Sequence, residues 1–467
     1  MRKITVLMIA ATQFFCFHAY AEPTEKPDSK QETFVIKSLE QCLDMAIKNN
    51  RQRRISEIAV SIAESQHKQA LSAYWPWLKA EISGTRSDDE PNFVFPSEVM
   101  RVMGVEAHVP EKDVKLMNRD LLISNLEFIF PLYTGGKRTA HSKRARIGVE
   151  IAKESARQTD IKIIYDVKRM YYGFILAANL RKFGRETLDR FDAAMKLTEH
   201  LYQHGEGVVK KTDYLRSKVM KSFIMAMQES LISNEKMAGS ALVNAMGLEW
   251  HVQPEPVDKE IPFTPFDSEL AELITDAYQF NPDWSRLEKA LKVAEAEIKK
   301  AKSGHFPIIA LTGRLSQVNN SYDKGIVTDV NRKSWNIGIG VRIPLFSGFL
   351  TTNQIREAAA KLEKMKHEKM LLKEGIALRI KDAFLKIMRA QGQIKATEHA
   401  VDAARENREL NIRAYQYELV ETREVIEAQL MESFVQAQHV KALYDHAVAK
   451  ARLDYIVGRE IEGIFKP

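Results

Sequence analysis

Proline is missing from two long stretches of this chain of 467 residues. The first covers residues 132–253 and the second covers residues 345–466, and both are 122 residues long. Proline lacks the backbone N–H and clashes with the preceding turn, so it is excluded from helix interiors. Two equal stretches without it predict two matched sets of very long helices.

Cysteine is nearly absent as well, because the sequence contains only Cys16 and Cys42. Cys16 lies in an N-terminal segment that we expect to be removed, which leaves Cys42 with no partner for an internal disulfide. Leu43 and Met45 lie beside Cys42 in an amphipathic pattern. This pattern predicts a buried side chain and not a reactive thiol.

Apolar runs of about 18 residues are missing after the N-terminus, which excludes a polytopic helical membrane protein. The N-terminal run, residues 4–17, follows Arg2 and Lys3 and precedes an Ala-Tyr-Ala sequence that ends at Ala21. These features predict a signal peptide, residues 1–21, that is cleaved after Ala21. A membrane anchor and a lipoprotein modified at Cys16 are the other interpretations. The run is short for the first, and the residues before Cys16 are too large for the second.

Catalytic and nucleic-acid-binding patterns are also missing. The net charge is only +7, and Lys and Arg interleave with Glu along helical faces, which indicates solvated helices. Residues 134–139 (TGGKRT) lack the first glycine of a phosphate-binding loop, and the pair His367-Glu368 is not followed by a second histidine. The sequence therefore predicts no enzyme, no cofactor, no metal site and no nucleic-acid partner.

The two halves of the chain repeat each other. Residues 131–135 (PLYTG) recur as residues 344–348 (PLFSG), an offset of 213, and residues 46–50 (AIKNN) recur as residues 277–281 (AYQFN), an offset of 231. A duplicated unit of this kind forms one architecture rather than separate domains. The predicted order is a signal peptide (1–21), a mobile leader (22–37), a first repeat (38–246), a linker (247–268), a second repeat (269–458) and a short tail (459–467).

The helical pattern is the same in both repeats. Ser38 and Gln41 are typical of a capping box, and helical periodicity then continues to about Ala73. Helices of about 66 residues follow each hairpin of strands, and a return helix follows each of these. The predicted ranges are 137–202 and 351–417 for the long helices and 212–246 and 424–457 for the return helices. Helices this long are not stable alone, so the sequence predicts oligomerisation.

Four strands are predicted, beginning at Pro76 and covering residues 121–132, 305–316 and 334–343. In the last strand, Trp335, Ile337, Ile339 and Val341 alternate with small or polar residues. A period of two with one apolar side is typical of a strand that faces lipid on that side and a lumen on the other. A sheet packed on helices with one wet side is the other interpretation. Four strands are too few to close a barrel, so several chains would have to contribute.

This combination resembles the outer-membrane efflux protein family, typified by TolC. The resemblance covers residues 38–458. The motifs that carry it are residues 38–50 (SLEQCLDMAIKNN), the two Pro-Leu motifs at 131 and 344, and the tips of the helical hairpins at residues 204–215 and 415–429. None of these motifs is specific by itself, but they occur in order and in duplicate.

The resemblance implies a fold that is mainly α-helical with a small membrane β-barrel. Three chains would each give four strands to a twelve-stranded barrel in the outer membrane, continuous with a long coiled-coil tunnel through the periplasm. The protein would be the exit duct of a tripartite system that exports small molecules, with a periplasmic adaptor and an inner-membrane transporter. A type I protein secretion conduit and a periplasmic coiled-coil scaffold without a barrel are the alternatives.

The resemblance also implies roles for residues at the helical tips. Glu424 and Glu427 match positions of inward-facing aspartates, so they would form an acidic ring at the channel entrance. Asp213 and Tyr415 match two residues of the latch that closes the tunnel, and Arg423 would complete it from three residues beyond Val420, which occupies the place of the family arginine. The adaptor would contact Gly207, Val208, Val209, Glu418, Leu419 and Val420. The residues themselves leave two other interpretations open, an ordinary solvated pair of glutamates and a helix cap at Asp213.

Besides Val420, the sequence departs from the family pattern at three places. Glu418 stands where the second tip usually has glycine, and His204 takes the tyrosine place of the first tip unless Tyr202 serves with two inserted residues. Arg51 replaces a proline that the second repeat keeps as Pro282. Two of these changes lie where the adaptor would bind.

Overall fold

The computed structural model describes residues 33–36, 38–89, 92–115, 119–204, 209–249, 252–256, 258–320, 333–417 and 419–459. The predicted signal peptide with its cleavage site after Ala21 lies outside these residues. So do three of the predicted adaptor contacts, Gly207, Val208 and Glu418. The described residues therefore include most of the two repeats, part of the linker and residues 33–36 of the predicted leader.

Two very long helices run through the molecule, one in each repeat. In the first repeat the helices are α1 (Leu39–Asn49), α2 (Arg51–Leu71), α3 (Lys137–Gln203) and α4 (Lys211–Ala245). In the second they are α5 (Leu270–Phe280), α6 (Pro282–Lys302), α7 (Leu350–Gln416) and α8 (Thr422–Val457). Both α3 and α7 contain 67 residues, or about 100 Å at about 1.5 Å per residue. The predicted long and return helices are confirmed. None of the described helices combines the length and the apolar character needed to cross a membrane.

Four of the ten described strands occupy the predicted places, and the other six were not predicted. In chain order they are β1 (Thr33–Ile36), β2 (Trp77–Arg86), β3 (Asn92–Phe95), β4 (Glu98–Val102), β5 (Val105–Val109), β6 (Lys112–Lys115), β7 (Asp120–Tyr133), β8 (Gln253–Pro256), β9 (Ile308–Asn320) and β10 (Lys333–Arg342). Strands β2, β7, β9 and β10 form one antiparallel sheet in the order β10-β9-β7-β2. The pairing of β7 with β9 joins the repeats, and β2 and β10 are the two edges of this sheet.

The other strands lie in connecting segments. The stretch between β2 and β7 contains two nested hairpins, in which β3 pairs with β6 and β4 pairs with β5. Strand β1 pairs in parallel with β8. Residues 33–36 of the predicted leader are thus joined to the predicted linker by backbone pairing.

One predicted helix is interrupted. Instead of a single helix from Ser38 to Ala73, the chain breaks at Asn50, whose backbone is extended with ψ 123°. The side chain of Asn50 accepts a hydrogen bond from the N–H of Gln52 at 2.8 Å and donates one to the carbonyl oxygen of Ala245 at 2.9 Å. The uninterrupted helix was wrong because periodicity does not reveal this contact with α4. The predicted start is confirmed, since the N–H of Gln41 donates to Ser38 Oγ at 3.3 Å.

The second repeat contains the same joint. Asn281 donates from Nδ2 to the carbonyl oxygen of Ile456 at 2.6 Å and caps α6 through the N–H of Trp284 at 3.0 Å. Gly247 and Gly458 end the two return helices with φ of 74° and 84°. A Cβ atom at either glycine would lie 2.6 Å from a backbone oxygen of the break it packs against. The joint therefore needs both the asparagine and the glycine.

Each repeat has its own apolar core. The first lies between α1, α3 and α4 and includes Ile164, Val167 and Leu242. The second lies between α5, α7 and α8 and includes Ile380 and Leu453. Cys42 belongs to the first core, where burial raises the pKa of its thiol to about 12. The prediction that Cys42 is a buried side chain is confirmed.

Candidate functional site

One face of the four-stranded sheet is apolar. Partners in an antiparallel ladder project to the same side, and the register brings Leu78, Phe128, Gly313 and Ile337 together, and beside them Ala80, Leu126, Leu315 and Trp335. The four residues predicted to face lipid, Trp335, Ile337, Ile339 and Val341, all lie on this face and are 57–73% exposed. The whole of β10 is exposed in the chain. The interpretation in which the sheet packs on the helices does not fit this exposure.

The opposite face of the sheet is polar. Glu127 on β7 and Arg314 on β9 form an ion pair at 2.6 Å. Ser316 Oγ donates to Asn125 Oδ1 at 2.7 Å across the same two strands. The ladder also places Lys79 opposite Glu127. The predicted alternation between an apolar and a polar side is confirmed in these strands.

The two tips place Asp213 and Glu424 in the same local role. Each is the third residue of a return helix, α4 or α8. The carboxylate of Asp213 accepts from the N–H of Lys210 at 3.1 Å, and that of Glu424 accepts from the N–H of Glu421 at 2.6 Å. A carboxylate in the first turn accepts a hydrogen bond from an N–H that has no partner within the helix. Its negative charge also interacts favourably with the positive end of the helix dipole. In the single chain, Asp213 therefore caps the return helix α4.

Glu427 lies one turn further along α8 and is more exposed. Its nearest cation is Arg423, with Nε 3.9 Å from Glu427 Oε1, and both side chains are largely in solvent. The structure thus brings together Arg423, Glu424 and Glu427 in two turns of one helix. Arg423 and Asp213 lie on different tips, and within the described contacts the two are not paired.

Tyr415 is buried at the end of α7 and is 5% exposed. Its hydroxyl lies 2.9 Å from Thr198 Oγ1 on α3 and 3.0 Å from Thr422 Oγ1 on α8. These contacts tie the two hairpins to each other. Among the described hydrogen bonds of Tyr415 there is none to Asp213, so the structure of one chain does not bring these two predicted latch residues together.

The remaining predicted adaptor contacts lie in the turns between the helices. Leu419 is 76% exposed, whereas Val209 and Val420 are half-buried. The N–H of Leu419 donates to the carbonyl oxygen of Ala414 at 2.9 Å, which closes the end of α7. An exposed leucine on a helical tip is a surface that a partner can bury.

Sequence reasoning missed a buried charge cluster. Glu432 on α8 is 1% exposed and lies 2.9 Å from Arg190 on α3 and 3.0 Å from Arg408 on α7. A sequence signal for this cluster does exist. Glu432 follows Val425 and Ala428 at spacings of seven and four residues, so the carboxylate lies on the same helix face as these two buried apolar residues. Three helices from both repeats are joined at this point.

Sequence reasoning also missed an aromatic pair at the first tip. The rings of Tyr202 and Tyr214 are stacked, with centroids 5.5 Å apart. The hydroxyl of Tyr214 donates to Glu199 at 3.1 Å, and this hydrogen bond raises the pKa of the tyrosine. Tyr202, which was considered for the family tyrosine, therefore packs on the return helix of its own hairpin.

Comparison with known proteins agrees with this geometry. The family model described as outer membrane efflux protein matches residues 42–217 and 273–459. The outer membrane protein OprJ of Pseudomonas aeruginosa is 23% identical over 329 residues, which are 68% of this chain and 62% of OprJ. The alkaline protease secretion protein AprF of the same organism is 21% identical over 345 residues, 73% of this chain and 70% of AprF.

A solved structure shows the same fold. CusC, for which transmembrane channel formation has been described, superposes with a TM-score of 0.74 at 18% identity and covers 91% of this chain and 93% of its own. The predicted fold class, long helical hairpins continuous with a small sheet in two repeats, is confirmed. The match to OprJ spans about three fifths of that relative. Because the family model matches both repeats, the chain belongs to the outer membrane efflux protein family, whose members are outer-membrane channels and not enzymes.

Proposed function

We propose that this protein is the outer-membrane exit duct of a tripartite efflux system that exports small molecules. One observation carries the proposal. A sheet with an apolar face, a polar face and two open edges continues into two helices of 67 residues. Neither part is complete in a single chain, and both are completed by further copies of the same chain.

The sheet needs partners at both edges. Open edges present unpaired N–H and C=O groups, and in a bilayer each such group costs several kcal/mol, so a membrane sheet must close. Edge β10 of one chain can pair with edge β2 of the next. Four strands from each of three chains give a twelve-stranded barrel, with Trp335, Ile337, Ile339 and Val341 towards lipid and Glu127 and Arg314 towards the lumen.

The repeat predicts how the helices complete each other. Within the chain, α3 packs against α6 and α8 of the second repeat; Lys289 donates to Glu154 at 3.0 Å and Arg286 donates to Gln158. Helix α7 is the counterpart of α3, so it should pack in the same way against α2 and α4 of the next chain. The faces that would meet there carry exposed apolar side chains. They are Leu371, Leu378 and Leu385 on α7, Ile55, Ile58 and Ile62 on α2, and Leu215, Val219 and Phe223 on α4.

The offsets identify one pair across this interface. The counterpart of Gln158 at an offset of 213 is Leu371, and the counterpart of Arg286 at an offset of 231 is Ile55. Leu371 and Ile55 are 68% and 66% exposed in the single chain. A polar pair inside the chain thus corresponds to an apolar pair between chains. This supports a homotrimer in which α2, α4 and α7 are buried.

The helical tips would then meet at the periplasmic end. Three copies of Glu424 and Glu427 would line the entrance as an acidic ring that favours cations. Asp213, Tyr415 and Arg423 would hold the entrance closed, with the Asp213 to Arg423 contact formed between tips. A periplasmic adaptor would bind the tip turns at residues 207–209 and 418–420, and an inner-membrane transporter would deliver the substrate.

A second function is favoured by one comparison. AprF is named as an alkaline protease secretion protein, so protein export is the second candidate function. The experiment that separates the two functions is deletion of the gene in its own host, followed by complementation. Retention of a fluorescent efflux substrate by the deletion strain supports small-molecule export. Normal efflux with loss of a secreted protein would support the protein conduit instead.

Localisation and assembly are tested on the same strain. We expect the protein in the outer-membrane fraction, as a trimer that migrates differently before and after heating. A folded monomer in detergent by light scattering would contradict the proposal.

A further inference from the structure

A small cavity lies where the linker crosses α3 and α8. Its volume is about 190 Å³, and its polar lining comes from both helices and from the linker. Lys168 and Tyr172 belong to α3, His446, Lys450 and Asp454 belong to α8, and Pro262 and Thr264 belong to the linker. The cavity is outside the sheet and outside the helical tips, so it takes no part in the function proposed above.

His446 gives this cavity an unsatisfied donor or acceptor. The residue is 2% exposed, and its Nε2 atom is buried without a hydrogen-bond partner. Phe263 of the linker covers the ring, with centroids 5.0 Å apart. A buried polar atom without a partner destabilises the folded chain, so the site favours a ligand that can form a hydrogen bond with His446 Nε2.

The charges around His446 favour an anion. Two lysines and one histidine line the cavity against one carboxylate, Asp454. Burial and the nearby Lys450 lower the pKa of His446, and burial lowers the pKa of Lys168. Burial raises the pKa of Asp454, which the two lysines oppose. An added negative charge would stabilise the protonated forms of all three basic groups.

The walls of the cavity are held in place without a ligand. Asn179 on α3 donates from Nδ2 to the carbonyl oxygen of Lys259 at 2.9 Å, and the hydroxyl of Tyr171 donates to Asp258. Ile261 is 4% exposed and packs in the first core. The linker therefore forms a fixed third wall.

The cluster is not a requirement of the fold. At the offset of 211 that relates the return helices, the counterparts of His446, Lys450 and Asp454 in α4 are Glu235, Gly239 and Val243. Glu235 is instead paired with Arg181. The return helix of the first repeat thus carries neither the histidine, the lysine nor the aspartate at the matching positions.

We propose that this cavity is a binding site for a small divalent oxyanion, of the size of sulfate or phosphate. Lys450 Nζ and the protonated Nε2 of His446 would donate to the anion from α8. Lys168 would add charge from α3, and the hydroxyl of Thr264 would donate from the linker. The anion would join α3, α8 and the linker at one point. This inference stands independently of the proposed export function.

The test is equilibrium dialysis of the purified full-length protein in detergent with radiolabelled sulfate. We expect about one bound sulfate per chain, displaced by phosphate but not by acetate at the same ionic strength. Sulfate keeps its charge across neutral pH, so any pH dependence comes from the protein. Burial and Lys450 lower the pKa of His446, and a bound anion would raise it. Affinity should therefore rise as pH falls, by up to about tenfold per pH unit between the pKa of the imidazole in the empty site and its pKa in the filled site.

Two variants and two controls locate the site. Lys450→Met should weaken sulfate binding by about tenfold or more, and His446→Gln should keep weak binding but lose its pH dependence. Lys441→Met and His439→Gln change the same residue types on the same helix outside the cavity, and we expect them to bind like the unchanged protein. Absence of sulfate uptake, equal uptake by Lys450→Met, or uptake that does not change with pH would each overturn the proposal.

Discussion

Glu432 on α8 is a buried carboxylate that forms ion pairs with two other long helices, α3 and α7. It is almost fully buried, and its two cations, Arg190 and Arg408, come from α3 and α7. Removing a buried carboxylate weakens the pairing of the cations around it, whereas an exposed ion pair contributes little to stability. The contrast between Glu432 and the exposed Glu427 on the same helix makes this measurable.

We expect Glu432→Ala to destabilise the protein by about 1–3 kcal/mol, since Arg190 and Arg408 lose their shared buried carboxylate and keep only the more exposed Glu186 and Glu409. Glu427→Ala should change stability by no more than about 1 kcal/mol. Denaturant unfolding, followed by loss of helical circular dichroism, gives both values. Similar effects of the two substitutions would show that Glu432 does not hold the helices together.

Asp213 has one role in the chain and a second that belongs to the assembly. As a cap, it needs only an acceptor oxygen for the N–H of Lys210, and asparagine provides one. As a latch, it needs a negative charge for Arg423. We expect Asp213→Asn to leave stability nearly unchanged and to raise the resting conductance of the protein in planar bilayers. Asp213→Ala should do the same and also cost about 1 kcal/mol of stability. If Asp213→Asn conducts like the unchanged protein, only the cap remains.

At the scale of elements, successive residues of strand β10 project alternately to the apolar and to the polar face of the sheet. Ile339 lies on the apolar face, and a Cβ added at the neighbouring Gly340 would meet open space on the polar side. We expect Ile339→Lys to cost about 2–4 kcal/mol near the middle of a bilayer and to reduce the amount of assembled oligomer in outer membranes. Gly340→Ser should assemble normally. Equal loss in both variants would mean that the two sides of β10 do not face different environments.

The sequence predicted the elements better than their contacts. The long helices were predictable from the absence of proline, because proline is excluded throughout a helix interior. Strand β10 was predictable from the alternation between Trp335 and Val341, because one of its faces is apolar throughout and the other is small or polar throughout. Periodicity did not reveal the break at Asn50, since the break is held by the carbonyl oxygen of Ala245, a residue distant in sequence. Likewise, the hydroxyl partners of Tyr415 come from α3 and α8. Periodicity along a chain carries no information on such pairings.

For the candidate site, the motifs predicted where the helical tips lie, but not which hydrogen bonds the tip residues form. Asp213 and Glu424 were assigned different roles from the resemblance, one in a latch and one in a ring. The structure shows that they are repeat counterparts and that each caps its own return helix. A carboxylate at the third position of a helix is satisfied locally before any partner arrives. Roles that need three chains stay predictions.

At the scale of the whole molecule, the interface between chains can be tested by transplanting a contact from within one chain. We expect Ile55→Arg to weaken the trimer by about 1–3 kcal/mol, because the interface buries an unpaired polar group. Adding Leu371→Gln should restore the trimer in part, since the two changes recreate the pair that Arg286 and Gln158 form inside the chain. The temperature at which trimers dissociate in detergent measures both.

The control for this exchange is Leu410→Gln, an exposed leucine on the same helix α7. Combined with Ile55→Arg, it should give no recovery. Recovery with either glutamine, or no effect of Ile55→Arg alone, would contradict the proposed pairing of α2 with α7.

The acidic entrance is a property of the assembled molecule. Six carboxylates around a narrow opening favour cations. We expect the double substitution Glu424→Gln with Glu427→Gln to lower the preference for potassium over chloride in single-channel recordings. Glutamine at position 424 can still accept from the N–H of Glu421, so the cap is kept. An unchanged reversal potential would leave Glu427 and Arg423 as an ordinary solvated pair.

The two open edges of the sheet also matter before the molecule is assembled. A lone chain carries β2 on one side and β10 on the other, each ready to pair with any extended segment it meets. Lys333 and Arg342 stand at the ends of β10, where charge disfavours stacking of one such edge on another. The residues of β10 between Lys333 and Arg342 carry no charge. An unassembled chain can therefore pair this edge with a strand other than β2 of a second copy. The concentration of unassembled protein, and not the strength of the finished trimer, then sets how much of it is lost to aggregates.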